Sequence, residues 1–228
     1  MKKIGILIAI NRESDSFFKE FDSSKEEIVL NNYHVYKYLI NNNEVYVVTS
    51  QCGNIRSAAA LELLICNFKI EYVINFGVVG ALDKNIHVSD LFLIKNVVHY
   101  DFDTSSCSTD MKKHQYSMFK DEYIPFDVDL INFVKKIDST LKVVNCASGD
   151  KFIADRAIKT KLHNECNCDI CDMESAGIGL ISYINNVKAL SIKCISDEFD
   201  GDGKDFDKNV SEASRKATIL LKKILFKL

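Results

Sequence analysis

The chain has 228 residues, of which 47% are hydrophobic and 27% are charged. These proportions are close to those of average globular proteins, and they exclude a disordered chain, a collagen-like repeat and a membrane-embedded protein. Lys and Arg total 29 against 32 Asp and Glu. The resulting net charge of −3 gives no support for a nucleic-acid partner, which would favour a strongly basic surface.

The N-terminal segment has some features of a secretory signal. Lys2 and Lys3 precede an apolar run over residues 4–10, but Arg12 and Glu13 follow at once and no small-residue cleavage site is present. Nowhere does an apolar run approach the ~20 residues that span a bilayer. We therefore expect a cytoplasmic protein without membrane contact, whose cysteines are reduced.

Apolar periodicity predicts strands and helices that alternate along the chain. In the first half it predicts strands at 3–10, 27–30, 33–40, 44–50, 72–76 and 91–98, helices at 12–21 and 54–68, and a turn at Gly77-Val78-Val79-Gly80. Residues 101–123 are polar and aperiodic, which is typical of a lid or binding loop. In the second half it predicts helices at 126–137, 155–164, 175–184 and 211–228, and strands at 141–147, 169–173 and 188–195.

This alternation predicts an α/β fold. We expect a single domain over residues 1–228, with a central mixed, mainly parallel twisted β-sheet flanked by helices. Ligands of such sheets bind beyond the carboxyl ends of the strands. The residues that follow each predicted strand are therefore the candidates for a functional site.

Three acidic residues follow predicted strand ends, namely Glu13, Glu174 and Asp197. No His, and no Ser with a nearby base, accompanies them. Cleavage of a glycosidic bond needs an acid on the leaving group and a base on the water, and it gains from a carboxylate near the cationic transition state. One such acid alone would more often be a helix cap. The presence of three acids at the same edge of the predicted sheet is what favours this chemistry.

Five segments carry a resemblance to a known family. They are the strand at 4–10 with Glu13, Asn-Phe-Gly-Val-Val-Gly-Ala at 75–81, Ser-Gly-Asp-Lys-Phe-Ile at 148–153, Asp-Met-Glu-Ser-Ala at 172–176 and Ile-Ser-Asp at 195–197. Over nearly its whole length the chain resembles the 5′-methylthioadenosine/S-adenosylhomocysteine nucleosidases of the purine nucleoside phosphorylase-like superfamily. The last three segments are specific as a set, and the resemblance implies a nucleoside phosphorylase-like fold.

The resemblance also implies a role for each polar residue of the site. Asp197, steadied by Ser196, would protonate N7 of the purine, and Glu13 would deprotonate the attacking water. Glu174 would hold the ribose hydroxyls, with the backbone of Met173 beside it.

Further residues would bind the base and the 5′ substituent. Phe152 would stack on the purine while the backbone of Ile153 reads its edge. The apolar slot for a 5′-thioalkyl group would be lined by Ile10, Met173 and Phe206. The strand before the Gly77 turn brings Val79 and Gly80 to the same rim, and we count both as substrate-binding residues.

The implied activity is hydrolysis of the N-glycosidic bond of 5′-methylthioadenosine, S-adenosylhomocysteine or a related purine nucleoside. The products would be adenine, or another purine base, and the ribosyl product, with water as co-substrate and without a metal or organic cofactor. The resemblance implies a homodimer in which the long loop of one subunit edges the 5′ slot of the other.

Two alternatives remain open from the sequence. A phosphate-dependent purine nucleoside phosphorylase on the same fold would need a phosphate cradle, usually with arginine, and the chain has only Arg12, Arg56, Arg156 and Arg215. A non-catalytic nucleoside-binding protein would keep the pocket, but it would have no use for all three acids.

Some positions depart from the pattern of the resembled family. Val78 and Val79 stand where smaller residues, including a serine, are usual, and Lys193 stands where an arginine is usual. Cys107 stands near the place of an aromatic residue. These departures concern the preferred 5′ substituent more than the cleavage of the glycosidic bond.

Four residues have spacing that suggests a zinc site: His163, Cys166, Cys168 and Cys171. If residues 169–173 form a strand, Cys168 and Cys171 point to opposite faces and cannot share one tetrahedral ion. We therefore predict no metal, and thiols that serve in packing. Only Cys52 and Cys107 are expected near the pocket.

Overall fold

The computed structural model describes residues 1–21, 25–107, 110–201 and 203–228. Strands and helices alternate as predicted, and their bounds are β1 (Lys3–Ile8), α1 (Asn11–Glu20), β2 (Glu26–Leu30), β3 (Tyr33–Ile40), β4 (Asn43–Thr49), α2 (Asn54–Phe68), β5 (Tyr72–Ala81), β6 (Leu91–His99), β7 (Tyr123–Pro125), α3 (Val128–Ile137), β8 (Lys142–Ser148), α4 (Arg156–Cys166), β9 (Ile170–Asp172), α5 (Ser175–Asn185), β10 (Lys188–Asp197) and α6 (Gly203–Leu225).

The strands form one mixed sheet, and the predicted α/β architecture with flanking helices is confirmed. Strands β4, β1, β5 and β10 are parallel neighbours in that order, while β2 and β3 continue the sheet with antiparallel pairing beyond β4. From β10 the sheet continues through β6, β8 and β9 back to β5, so these five strands close into a ring. The carboxyl ends of the parallel strands therefore meet at one edge.

The central strands are buried on both faces because helices cover the sheet on each side. In β1 the side chains of Ile4, Ile6, Leu7 and Ile8 are fully buried, which explains the unbroken apolar run of this strand. Helix α1 packs against α6, and the ring of its Phe17 stacks on that of Phe21, which directly follows the helix, with centroids 4.4 Å apart. This packing holds α1 in place, and the first turn of the helix carries Glu13.

The predicted turn at Gly77–Gly80 is wrong, because β5 continues without interruption to Ala81. Strand β10 pairs with it in parallel as far as Gly80, and this pairing holds the segment extended. The glycines serve a different purpose, described below. The C-terminal helix also begins at Gly203 rather than at 211, which puts Phe206 on a helix.

The long connection after β6 is mostly irregular, as predicted, in the described residues up to 107 and from 110. It contains one short 3₁₀ turn (Ser105–Cys107), and it ends in β7, which the sequence did not predict. The rings of Phe102 and Tyr116 stack across it with centroids 4.1 Å apart. Across the described part of the chain we find no helix with the length and apolar character needed to cross a membrane.

Candidate active site

A cavity that opens to solvent lies at the carboxyl ends of β1, β5, β9 and β10. The structure brings all the predicted site residues to its wall: Ile10, Glu13, Val79, Gly80, Phe152, Ile153, Met173, Glu174, Ser196, Asp197 and Phe206. Residues of six separate segments thus converge on one space.

Glu13 lies in the first turn of α1 and is buried, with 2% of its surface exposed. Its Oε2 accepts the backbone N–H groups of Ala9 and Ile10 at 3.1 and 3.0 Å, and its Oε1 accepts that of Val78 at 2.8 Å. Burial raises the pKa of Glu13, while the Lys193 ammonium and the three backbone donors oppose this rise. The carboxylate is therefore fixed in orientation and is more basic than an exposed glutamate.

Glu13 lies directly against Gly77 of β5. A Cβ added at Gly77 would come within 2.5 Å of Glu13 Oε1, so the strand has room for this carboxylate only because residue 77 lacks a side chain. The same relation recurs at Gly80, where an added Cβ would meet Asp197 Oδ2 at 2.7 Å. The two glycines of this segment each leave space for one acid.

Asp197 ends β10 and is also buried. Its Oδ1 accepts a hydrogen bond from the hydroxyl of Ser196 at 3.0 Å, and its Oδ2 lies 3.5 Å from the Nζ atom of Lys159. Burial raises the pKa of the Asp197 carboxyl, and the Lys159 ammonium and the Ser196 hydroxyl partly offset this. A carboxyl with a raised pKa keeps its proton closer to neutral pH, as a general acid requires.

Glu174 precedes α5, and its carboxylate is oriented by backbone donors. Oε1 accepts the N–H of Gly53 at 3.1 Å and Oε2 that of Met173 at 3.3 Å. Gly53 has φ of 112°, a conformation that favours glycine and that presents its N–H to Glu174. Burial and the neighbouring Asp172 and Glu13 charges raise the pKa of Glu174 to about 7, although Lys193 opposes them.

A buried ion pair, formed by Lys193 and Asp172, lies close to Glu174. Lys193 Nζ is 2.9 Å from Asp172 Oδ2, and both side chains are almost fully buried. Burial acts to raise the pKa of Asp172, but Lys193 and the hydroxyl of Ser175 outweigh it, and the net shift is downward. Lys193 is thus a fixed positive charge close to Glu13 and Glu174.

The mouth of the cavity is apolar. Phe152 is 44% exposed, and its ring lies edge-on to that of Phe206 with centroids 5.7 Å apart. Ile153 beside it is buried, and Ile10 and Met173 are half-buried. An exposed aromatic face above polar groups suits a flat ring bound over a polar sugar.

Comparison with known proteins agrees with this geometry. The family model described as "Phosphorylase superfamily" matches residues 3–225. The chain belongs to the phosphorylase superfamily. The aminodeoxyfutalosine nucleosidase of Campylobacter jejuni is 27% identical over 91% of this chain and 90% of its own length. The 5′-methylthioadenosine/S-adenosylhomocysteine nucleosidase of Buchnera aphidicola is 28% identical over 98% and 97%.

Solved structures of the superfamily have the same fold. The Helicobacter pylori 5′-methylthioadenosine/S-adenosyl homocysteine nucleosidase, solved with a bound pyrrolidine compound, superimposes with a TM-score of 0.94 at 26% identity, covering 100% of this chain and 99% of its own. The predicted resemblance to these nucleosidases is confirmed, and so is the prediction of an enzyme of this type.

Sequence reasoning missed some residues of this superfamily site. Lys159 was not considered, although its spacing to Leu162 and Cys166 puts all three on the buried face of α4. Cys171 lines the cavity beside Asp197, and Cys52 lines it as expected. Cys107 is not among the described residues that line the cavity.

The spacing that suggested zinc has another explanation. Cys166, Cys168 and Cys171 belong to a small apolar cluster with Leu162 and Ile153, and His163 Nδ1 lies 2.8 Å from the backbone oxygen of Cys168. No group of three or more metal-ligating side chains comes together within residues 1–21, 25–107, 110–201 and 203–228.

Proposed function

We propose that residues 1–228 form one domain that acts as a purine nucleoside N-ribohydrolase. The observation that carries this proposal is the convergence of three buried carboxyl groups, Glu13, Glu174 and Asp197, on one cavity with an apolar mouth. We infer that the substrate is 5′-methylthioadenosine, S-adenosylhomocysteine or a close relative. The name of the Buchnera relative supports these substrates, and the name of the Campylobacter relative supports a related nucleoside, aminodeoxyfutalosine. The apolar side chains of Ile10, Met173 and Phe206, which line the cavity, are suited to an apolar 5′ substituent.

In the proposed reaction Asp197 donates its proton to N7 of the purine. The bond between the base and the ribose then breaks, and its electron pair leaves with the base. Glu13 takes a proton from the water whose oxygen bonds to the anomeric carbon. Glu174 accepts hydrogen bonds from the ribose hydroxyls, and its negative charge stabilises the cationic sugar. Solvent returns the proton from Glu13 to Asp197 after the products leave.

The surroundings of the arginines favour water over phosphate as the acceptor. Each arginine side chain contacts a residue that does not line the cavity: Arg12 with Asp207, Arg56 with Gln51, Arg156 with Asp200 and Arg215 with Glu212. None of them is among the described residues that line the cavity. A phosphate site normally draws on such guanidinium groups, whereas Glu13 here offers a negative charge that repels phosphate.

We propose that the enzyme works as a homodimer in the cytoplasm. Ile55 on α2 and Tyr183 and Ile184 on α5 are exposed apolar side chains on two helices that pack together. All eight cysteines are unpaired, which suits a reducing compartment. Light scattering is expected to give twice the monomer mass for the wild type and the monomer mass for Tyr183→Asp. A monomeric wild type would contradict the dimer.

The test of the proposed reaction is base release from a panel of purine nucleosides, with and without phosphate. We expect adenine and a free ribosyl sugar from 5′-methylthioadenosine at the same rate in both buffers. Formation of a ribose 1-phosphate only when phosphate is present would instead identify a phosphorylase. Tight nucleoside binding without base release would identify a binding protein.

A further inference from the structure

Lys159 is a buried cation with an unusual position. It lies on α4 between Ile158 and Thr160, and its side chain has no exposed surface. A lysine is almost never fully buried unless its charge has a partner. Its Nζ atom lies 3.5 Å from Asp197 Oδ2 and donates a hydrogen bond to the backbone oxygen of Glu198 at 2.7 Å.

The other groups near Asp197 do not replace this charge. The Ser196 hydroxyl donates to Oδ1, Cys171 packs beside the carboxyl as a neutral thiol, and the carboxylate of Asp205 on α6 disfavours ionisation of Asp197. On the remaining side lies Gly80, which contributes no side chain. Lys159 is therefore the cation that the described residues present to Asp197.

We propose that Lys159 is a positioning residue of this site: its buried ammonium holds the Asp197 carboxyl in place and stabilises the carboxylate that remains when the proton passes to the purine. This inference rests on the proposed function, in which Asp197 is the acid. The proton moves from Asp197 to N7 of the base, and the new negative charge on Asp197 lies beside the existing positive charge of Lys159. The charge separation thus occurs next to a fixed counter-charge, and because both side chains are buried the attraction between them is stronger than it would be in bulk water.

A lysine that served packing alone would have different consequences. An opposite charge within a few ångströms lowers the pKa of a carboxyl by about 1–3 pH units. Removing the charge of Lys159 therefore raises the pKa of Asp197 and makes it a weaker acid. Because the acid must be protonated, activity falls above its pKa, so the alkaline limb of the rate profile moves to higher pH while the maximal rate declines.

The test compares Lys159→Met and Lys159→Gln, which remove the charge, with Lys159→Arg, which keeps it. Lys159→Gln also retains a donor for the Glu198 oxygen. The matched control is Lys161→Met on the same helix, since Lys161 is 64% exposed. Adenine release from 5′-methylthioadenosine is followed between pH 5 and 10.

In the two uncharged variants we expect kcat to fall about 10- to 100-fold with little change in KM. We also expect the apparent pKa of the alkaline limb to increase by at least about one pH unit. In Lys159→Arg and Lys161→Met the alkaline limb should stay at the same pH as in the wild type. An unchanged limb in both uncharged variants, or an equal loss of kcat in Lys159→Arg, would overturn the proposal.

A second readout does not depend on turnover. Carboxyl carbons of aspartate are labelled with ¹³C, the Asp197 resonance is identified by its loss in Asp197→Asn, and its titration is compared between the wild type and Lys159→Gln without substrate. We expect a higher midpoint in the variant. A higher midpoint in the variant, found together with a wild-type protein that releases no base, would refute the proposed function alone. An unchanged midpoint in a protein that does release base would refute the role of Lys159 alone.

Discussion

The two acids proposed for catalysis are held in opposite ways. Glu13 accepts three backbone N–H groups, from Ala9, Ile10 and Val78. Asp197 instead depends on two side chains, the hydroxyl of Ser196 and the ammonium of Lys159. Substitution of Ala9, Ile10 or Val78 by any residue other than proline leaves the donors of Glu13 in place. By contrast, one substitution at Ser196 or at Lys159 removes the corresponding partner of Asp197.

This difference matches the two proposed roles. Hydrogen bonds from N–H groups favour the charged form of a carboxyl, which suits a base that must start ionised. Asp197 has fewer donors, which suits an acid that must start protonated. At the ribose end of the site, the carboxylate of Glu13 is thus fixed by backbone hydrogen bonds. At the end that binds the base, the position of Asp197 depends on side chains and can be changed by substituting them.

The largest effects are expected from removing the acids themselves. Glu13→Gln and Asp197→Asn should each lower kcat by about 10²–10⁴ while the fold survives, since a positioned acid or base contributes that much. Base-release kinetics measure the loss, and circular dichroism checks the fold. Glu165→Gln, an exposed change on α4, serves as control. Wild-type turnover in either variant would remove that residue from the mechanism.

Alanine substitutions at Gly77 and Gly80 should have different effects, because Glu13 is held rigidly by backbone donors and Asp197 is not. In Gly77→Ala the new Cβ overlaps a carboxylate that three bonds prevent from moving, so we expect loss of both activity and stability. In Gly80→Ala the Asp197 side chain can rotate away, so we expect about 10²-fold lower kcat from misplacement of the acid, with a smaller loss of stability.

Thermal unfolding and base release together measure this contrast. Gly203→Ala is the matched control, because an added Cβ there meets no described atom within 4 Å. Equal losses of stability in the Gly77 and Gly80 variants would contradict the distinction between the two acids.

Glu174 gives a pH-dependent prediction. Its pKa is raised from 4.5 to about 7, so the folded protein binds an extra proton between these values and becomes less stable as pH rises through them. Glu174→Gln has no such proton to lose. Between pH 5 and 8, the free energy of unfolding of the variant should therefore rise relative to that of the wild type by of the order of 2 kcal/mol. This change corresponds to about 4–8 °C in Tm.

Calorimetry at the two pH values tests this expectation. The exposed Glu165→Gln should show the same Tm difference from the wild type at both. A Tm difference for Glu174→Gln that does not change with pH would contradict the raised pKa of Glu174 in the free enzyme.

The smallest effect is expected at Ser196. Its hydroxyl lies 3.0 Å from Asp197 Oδ1 and 3.3 Å from the backbone oxygen of Val79, so it is shared between two acceptors. Ser196→Ala should lower kcat about tenfold, since one hydrogen bond to a carboxyl is lost. Ser196→Thr, which keeps the hydroxyl, is the control. No loss in Ser196→Ala would mean that Lys159 alone orients Asp197.

The sequence predicted the parts of the fold that depend on local patterns. The bounds of β3 and α2 are those predicted, because alternation and helical periodicity are properties of neighbouring residues. The turn at Gly77–Gly80 was wrong because the reason for these glycines lies in Glu13 and Asp197, which are distant in sequence. Lys159 was missed because a lysine on a helix usually faces solvent, and only the packed structure brings it to Asp197.

The most direct test of the central claim is adenine release from 5′-methylthioadenosine in phosphate-free buffer, by the wild type and by Glu13→Gln. We predict release by the wild type that added phosphate does not accelerate, and a rate at least about 10²-fold lower in the variant. Release that requires phosphate, or an equal rate in Glu13→Gln, would contradict a hydrolase in which Glu13 activates water.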